Sequence, residues 1–200
     1  VSVAGNLIVN ANTTFDASST DASTLSVGKD WTMNGNITFS SATGGTVLFN
    51  GSIDQQINGT AATQTFTKVV VSKTPGTILS VGGSTTNISM NNLTVNTGTF
   101  TAPSTLSFNT GGGGPPNNSI VLNGGIFNAG SSILIRGNWT NNGGVFNGGT
   151  GLVTFNFGSA QNINGTAATQ TFYNVEVNKS ASSLTVGGST TTLNVNDFTQ

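Results

Sequence analysis

Short apolar triplets recur along the whole chain, and they constrain the fold more than any other feature. Examples are LSV at 25–27, VLF at 47–49 and LTV at 93–95. Because successive side chains of a strand point to opposite faces, the first and third residue of each triplet share one face, which is typical of a half-buried strand. No stretch shows a 3.6-residue period over a helical length. The pattern predicts an all-β fold built of very short strands.

The segments between the triplets are rich in residues that form tight turns. Gly and Asn tolerate positive φ, so the Asn-Gly pairs predict turns. Strands this short suit a parallel β-solenoid, in which each strand pairs with its equivalents in the turns above and below. The Asn-Gly pairs occur at 34–35, 50–51, 58–59, 123–124, 142–143, 147–148 and 164–165.

The decamer INGTAATQTF occurs at 57–66 and again at 163–172, which is 106 positions later (163 − 57). The blocks around it also recur in the same order, so the sequence reads as tandem modules of about 1–86 and 87–191, with a third starting at 192–200. We expect the decamer to form one side of a coil and its corner, with Ile57 and Phe66 inward and a turn at Asn58–Gly59. A ligand loop used twice is the alternative.

The two modules differ in length before their tryptophan. Leu7 to Trp31 is 24 residues (31 − 7), whereas Leu93 to Trp139 is 46 (139 − 93), and the extra 22 (46 − 24) lie around residues 106–122. An insertion of one whole coil would preserve the stack. The spacing therefore predicts coils of roughly 20 residues, about ten of them, and a rod of about 50 Å with a strand spacing of ~4.8 Å. Pro115–Pro116 predicts a protruding loop.

Composition excludes several classes of function. The chain has 6% charged residues, a net charge of −1, and no His or Cys. Nucleic-acid binding would require a basic stripe, and membrane insertion would require about 20 consecutive apolar residues. Disulfides, thiol chemistry and His-based triads are excluded as well. Val1 without a signal peptide suggests a mature or excised segment.

The acidic residues are scattered, and we interpret them as solvated turn residues. Glycoside hydrolysis would need two facing carboxylates, and a calcium site would need several closely spaced ones. We therefore expect no enzymatic activity, no cofactor and no metal. The acids are Asp16, Asp21, Asp30, Asp54, Glu176 and Asp197.

Basic and indole side chains fall at equivalent positions of the two modules. Trp31 and Trp139 are expected to pack at a coil corner, and the alternative is that they are exposed sugar-stacking platforms. We expect the cations to lie at the surface, where they favour solubility and protect strand edges: Lys29, Lys73, Arg136 and Lys179.

The stretch GNLIVNANTTFDASSTDASTLSVGKDWTMNGNITF, followed by VLFNG, QQING and FTKVVVSK, resembles the β-strand-repeat adhesins secreted by Bacteroidota. It is similar more loosely to filamentous-haemagglutinin-like and autotransporter solenoids. The resemblance covers almost the whole chain. It implies a segment of a large bacterial cell-surface or released fibrous protein without catalytic residues.

The predicted function is that of a structural repeat segment in an extracellular bacterial fibre or adhesin. Neither end shows a polar cap, so we expect a slice of a longer repetitive protein or a unit that polymerises end to end. Expected partners are neighbouring copies or repeats and surface glycans, with no nucleic acid and no membrane insertion. The rivals are an ice-binding solenoid, which should present a flat rank of Thr-x-Thr, and a carbohydrate-active β-helix enzyme.

Overall fold

The chain winds into three-sided turns whose strands stack in parallel on the turns before and after. The computed structural model describes residues 1–16, 24–38, 45–108, 114 and 117–200. In that part of the chain every secondary-structure element is a strand, and every strand pair is parallel. The predicted parallel β-solenoid is confirmed. Asp21 and the predicted loop at Pro115–Pro116 lie outside the described residues.

Three long sheets form the sides of the solenoid, with strands numbered in chain order. Face 1 contains β1 Ser2–Val3, β4 Thr24–Val27, β7 Thr46–Phe49, β10 Lys68–Ser72, β13 Asn92–Thr97, β16 Ile120–Leu122, β19 Trp139–Asn141, β22 Gln161–Asn164 and β24 Leu184–Val186. Face 2 contains β2 Leu7–Val9, β5 Trp31–Met33, β8 Gln55–Gly59, β11 Ile78–Val81, β14 Thr99–Thr101, β17 Ile126–Asn128 and β20 Val145–Asn147. Face 3 contains β9 Thr63–Thr65, β12 Asn87–Met90, β15 Thr105–Phe108, β18 Ser132–Ile135, β21 Leu152–Phe155, β23 Thr169–Val177 and β25 Thr192–Thr199. A separate pair, β3 Thr14–Asp16 and β6 Asn36–Thr38, follows face 2 in the first two turns.

The nine strands of face 1 delimit eight turns of about 23 residues, compared with the predicted ten of roughly 20. At ~4.8 Å per turn the stack is about 38 Å long. The prediction took its coil length from the insertion alone. The turn from Ile120 to Trp139 is unusually short: these two residues are partners in the sheet register, and they are 19 residues apart (139 − 120).

The insertion before the second tryptophan is one complete turn, as predicted. On face 2, Leu7 pairs directly with Trp31. On face 1, Leu93 pairs with Ile120, and Ile120 pairs with Trp139. The added residues therefore lengthen the stack without changing which side chains face inward.

The interior is a set of apolar columns that run along the solenoid axis. On face 1 each inward side chain stacks on its equivalent in the next turn, and burial of such a side chain stabilises the fold by about 1.5–3 kcal/mol. Strict alternation in the strands keeps this register, since a one-residue slip would expose a whole column. One such column is Leu25, Val47, Val69, Leu93, Ile120, Trp139, Ile163 and Val186.

Candidate functional site

The repeated decamer forms the strand and corner that the sequence predicts. Ile57 and Phe66 are buried in the core. Gly59 has a φ of 141°, and a Cβ there would lie 2.0 Å from the carbonyl oxygen of Met33. Gly165 has a φ of 123° and is equally crowded. Both Asn-Gly turns therefore require glycine for conformation and for space.

The two tryptophans are interior residues, which excludes the sugar-platform alternative. Trp31 is 0% and Trp139 is 1% exposed. The ring centroid of Trp31 lies 5.2 Å from that of Phe66, and Trp139 lies 4.9 Å from Phe172. The prediction of packing is confirmed, although each indole begins a strand (β5 and β19) rather than standing at a corner.

A buried glutamine satisfies the indole of the first copy. The Trp31 Nε1–H donates to Gln64 Oε1 at 2.9 Å. The Gln64 amide nitrogen donates to the Asn58 carbonyl at 2.9 Å and to Thr85 Oγ1 at 2.8 Å. The Thr85 hydroxyl donates in turn to the Ala61 carbonyl at 3.0 Å. We call this the Trp–Gln–Thr network, and it ties one turn of the solenoid to the next two.

The second copy repeats the Trp–Gln–Thr network bond for bond. Trp139 Nε1–H donates to Gln170 Oε1 at 2.8 Å. Gln170 donates to the Asn164 carbonyl at 2.9 Å and to Thr190 Oγ1 at 2.7 Å. Thr190 donates to the Ala167 carbonyl at 3.0 Å. The decamer is thus the sequence that supplies the glutamine and the corner carbonyls of this network.

Lys73 lies inside the solenoid, so the prediction that it is a surface residue is wrong. Its side chain is 1% exposed. The ammonium donates to the carbonyls of Gly51 at 3.2 Å and Ile53 at 2.8 Å, and to Gln55 Oε1 at 2.7 Å. Three oxygens therefore replace the water that the ammonium loses on folding.

The environment of Lys73 changes its protonation. Burial lowers the pKa of the ammonium to about 8, and the charges of Asp54 and Asp30 oppose this shift. The neighbouring Gln55 holds the site together, because its amide nitrogen donates to the Val27 carbonyl at 3.0 Å while its Oε1 accepts from the Gly51 N–H at 3.0 Å. No local pattern indicates this role for glutamine, other than its recurrence at inward positions.

Lys179 makes the equivalent contacts in the second copy. Its ammonium donates to the carbonyls of Phe157 and Ser159 and to Gln161 Oε1 at 2.8 Å. The side chain is half-buried, and burial lowers its pKa. Arg136 is half-buried as well, with its guanidinium carbon 4.9 Å from the Phe157 ring centroid. Among the four predicted surface cations, Lys29 is the one that is exposed.

The described carboxylates mostly accept hydrogen bonds that link one turn to the next. Asp30 Oδ1 accepts the Gln56 N–H and Asp54 Oδ1 accepts the Ile78 N–H, both at 2.8 Å. In the second copy the equivalent of Asp30 is a neutral residue, Asn138, whose Oδ1 accepts the Asn162 N–H at 2.9 Å. These bonds stabilise corners and need no charge.

Two further described acids, Glu176 and Asp197, lie on the last two strands of face 3. Glu176 Oε2 accepts the Thr154 hydroxyl at 2.9 Å on face 3, and Asp197 is exposed on β25. Among the described residues no three His, Cys, Asp or Glu side chains form a group that could hold a metal ion. The same residues contain no helix long and apolar enough to cross a membrane.

The second copy of the module is turned onto a different face. Ile57 lies in β8 on face 2, whereas its equivalent Ile163 lies in β22 on face 1. Four turns lead along face 2 from β8 to β20, and two further sides lead to β22. The repeat of 106 residues is therefore not a whole number of turns. Equivalent surface residues of the two copies face different directions.

Comparison of the copies separates interior from surface. Over residues 66–73 and their equivalents 172–179 the inward residues are identical, as in Val69 and Val175, whereas the outward residues differ, as in Val70 and Glu176. The identical inward pairs are Phe66/Phe172, Val69/Val175, Val71/Val177 and Lys73/Lys179. The differing outward pairs are Thr67/Tyr173, Lys68/Asn174, Val70/Glu176 and Ser72/Asn178.

Face 2 carries three exposed aliphatic residues in one column of four successive turns. Ile78, Ile126 and Val145 are 37%, 37% and 51% exposed, and the buried Thr99, 9% exposed, lies between the two isoleucines. The four are consecutive partners in the register of the sheet. We call them the face-2 stripe.

Two rows of hydrogen-bonded amides flank the face-2 stripe. In the first amide ladder the Asn142 amide donates to Asn123, Asn123 to Asn96, and Asn96 to Ser72, at 2.9, 2.9 and 2.8 Å. In the second amide ladder Asn147 donates to Asn128 at 2.8 Å and Asn128 donates to Thr101 at 3.2 Å.

Face 3 presents a mixed surface. Its outward column of mostly hydroxyl residues is interrupted by an aliphatic residue and by a carboxylate, so it lacks the continuous threonine rank expected of an ice-binding solenoid. The column is Thr65, Ser89, Ser107, Leu134, Thr154, Glu176 and Thr199.

A cleft of about 760 Å³ lies at the last turn, between the ends of β23, β24 and β25. Val186 and Phe198 line it and are 48% and 53% exposed. Both strands β24 and β25 are terminal in their sheets.

The fold and its contacts define the chain as a parallel β-solenoid with duplicated interior hydrogen-bond networks. Comparison with protein-family models, curated proteins and solved structures finds no match to the chain. Of the predicted resemblance to Bacteroidota adhesins, the structure supports the β-solenoid fold alone. Membership of that family stays a prediction.

Proposed function

We propose that this chain is a structural segment of an extracellular bacterial fibre or adhesin, in which the solenoid acts as a stiff spacer. The observation that carries the proposal is the contrast between the two copies. The inward Trp–Gln–Thr network and the lysine contacts recur bond for bond, whereas the outward residues of 67–72 and 173–178 differ. Repetition of the interior contacts supports a structural role for the module, in which it continues the rod, over a role as a repeated surface binding site.

Stiffness follows from the same contacts. Parallel ladders run through all eight turns, and buried side chains bond across turns in addition to the backbone. Each turn contacts its neighbours, so adding turns extends the rod without altering its cross-section. Bending the rod would require the apolar columns to separate on one side.

The test of this proposal has a structural and a cellular part. Electron microscopy of the purified protein should show rods with an axial repeat near ~4.8 Å, the spacing of stacked strands. Antibodies raised against the chain should label intact cells of the source bacterium along fibres. Labelling that appears only after permeabilisation would contradict the proposal.

We also propose that further solenoid turns, from the same chain or from a second copy, stack on the last turn. The half-exposed Val186 and Phe198 and the free edges of β24 and β25 support this, because open strand edges pair readily with further strands. Sedimentation velocity at rising concentration should show chains of increasing length, and Phe198→Asp should reduce them. A single species at all concentrations would count against stacking of copies.

A further inference from the structure

We propose that the face-2 stripe and its two flanking amide ladders bind a neutral linear glycan that lies along the solenoid axis, with about one sugar residue per turn. This inference rests on the proposed adhesin function and names the class of its partner.

The aliphatic stripe offers a contact for the apolar face of a sugar ring. Three of its side chains are more than a third exposed, and they lie in one column of the sheet register. Ile126 and Val145 are one strand separation of ~4.8 Å apart, and Ile78 lies two separations from Ile126. One separation is close to the length of one sugar residue in an extended chain. A pyranose ring on this column would bury its own C–H groups against the aliphatic side chains and remove both apolar surfaces from water.

The amide ladders hold hydrogen-bonding groups in fixed orientations beside that contact. An asparagine amide has two N–H groups and two oxygen lone pairs. Asn123 and Asn128 each use one N–H to reach the previous turn and one lone pair to accept from the next. One donor and one acceptor therefore remain on each, which matches sugar hydroxyls that both donate and accept. Because the ladders already fix the amides, little side-chain entropy is lost on binding.

A groove lies along the middle of the stripe. It has a volume of about 200 Å³, and Pro75, Gly98, Thr99, Gly125 and Ile126 are among the residues that line it. A groove of this size has room for a sugar ring.

Charge and area decide between possible occupants. Every residue of the stripe and of both ladders is uncharged, so a polyanionic chain gains nothing there. The surface between the ladders covers about 240 Å², from three strand spacings of ~4.8 Å and about five residue spacings of ~3.3 Å. A stable protein interface needs about 800 Å² per partner, so a second copy of the chain is disfavoured. A weak glycan site is enough where a fibre repeats it many times.

The experiment titrates two neutral probes, the β-1,4-linked hexamers of glucose and of N-acetylglucosamine, into ¹⁵N-labelled protein, with hexagalacturonate as the charged counterpart. The expected result is a set of shifts in the side-chain amides of Asn123, Asn128 and Asn142 with one or both neutral hexamers and none with hexagalacturonate. Ile126→Asp and the double variant Asn123→Leu/Asn128→Leu should each weaken binding at least tenfold. Thr105→Asp, on face 3, is the matched control and should bind like the wild type.

Three outcomes overturn the inference: no shift with either neutral hexamer at millimolar concentration, equal binding of hexagalacturonate, or equal loss in the face 3 control. Circular dichroism of each variant separates loss of binding from loss of fold. The rods and the surface labelling that test the structural proposal do not depend on glycan, so the two proposals can fail separately.

Discussion

Replacement of Gln64 by Met tests whether the Trp–Gln–Thr network stabilises the solenoid. Methionine has nearly the same length but cannot accept from the indole of Trp31, which is 0% exposed. An unsatisfied buried N–H costs about 1–3 kcal/mol, and each lost hydrogen bond adds roughly 1 kcal/mol. Thr85 keeps its bond to Ala61, so it limits the damage. We expect the free energy of unfolding to fall by about 3 kcal/mol.

The assay is urea denaturation followed by far-ultraviolet circular dichroism, which reports the strands rather than the tryptophans. Gln56→Met is the control: Gln56 is exposed on the preceding strand, β8, and should change stability by less than about 0.5 kcal/mol. In a Trp31→Phe background, Gln64→Met should cost about 1–2 kcal/mol less, because no indole N–H is left unpaired. Equal costs for Gln64→Met and Gln56→Met, or no relief from Trp31→Phe, would refute the reasoning.

Three other predictions concern protonation, conformation and register. The folded pKa of Lys73 is about 8, below its ordinary value of about 10.4. Between these pH values the native state binds fewer protons than the unfolded state, so the free energy of unfolding should rise with pH. Denaturant titrations at pH 7 and 10 should show a smaller rise in Lys73→Met than in the wild type, and an equal rise would exclude Lys73 as the cause. Gly165→Ala should cost more than about 3 kcal/mol, because it has positive φ and a Cβ there would lie 2.0 Å from the Asn141 carbonyl, whereas Gly187→Ala, with nothing within 4 Å, should be nearly neutral in the same melts. Deletion of residues 98–124 removes one turn of 27 residues (124 − 98 + 1) and should leave a cooperatively folded, shorter solenoid in which β19 stacks on β13. Deletion of 98–111 removes part of a turn and should abolish the fold. Similar circular dichroism spectra for both deletions would contradict the register argument.

The amino-acid sequence determined the class of fold because strand periodicity and turn chemistry are local properties. The alternation in triplets such as 25–27 predicts which side chains face inward. The Asn58–Gly59 pair predicts a corner, because its glycine readily adopts positive φ. The extra turn in the second module was also readable, since a solenoid tolerates insertion of whole turns. The insertion of 22 residues is close to the observed turn of about 23, and rounding it to 20 raised the predicted number of turns from eight to ten.

The tertiary structure alone decided what the polar residues do. Lys73 reads as a surface cation because a charged side chain is rarely buried, and its three oxygen partners come from a loop about 20 positions away. Gln64 looks like any outward polar residue of a strand until the indole of Trp31, one turn earlier, is placed against it. The rotation of the second copy onto another face depends on the summed length of several turns, and the face-2 stripe exists only where register aligns separate strands. Such features arise from contacts between turns, which no local pattern in the chain encodes.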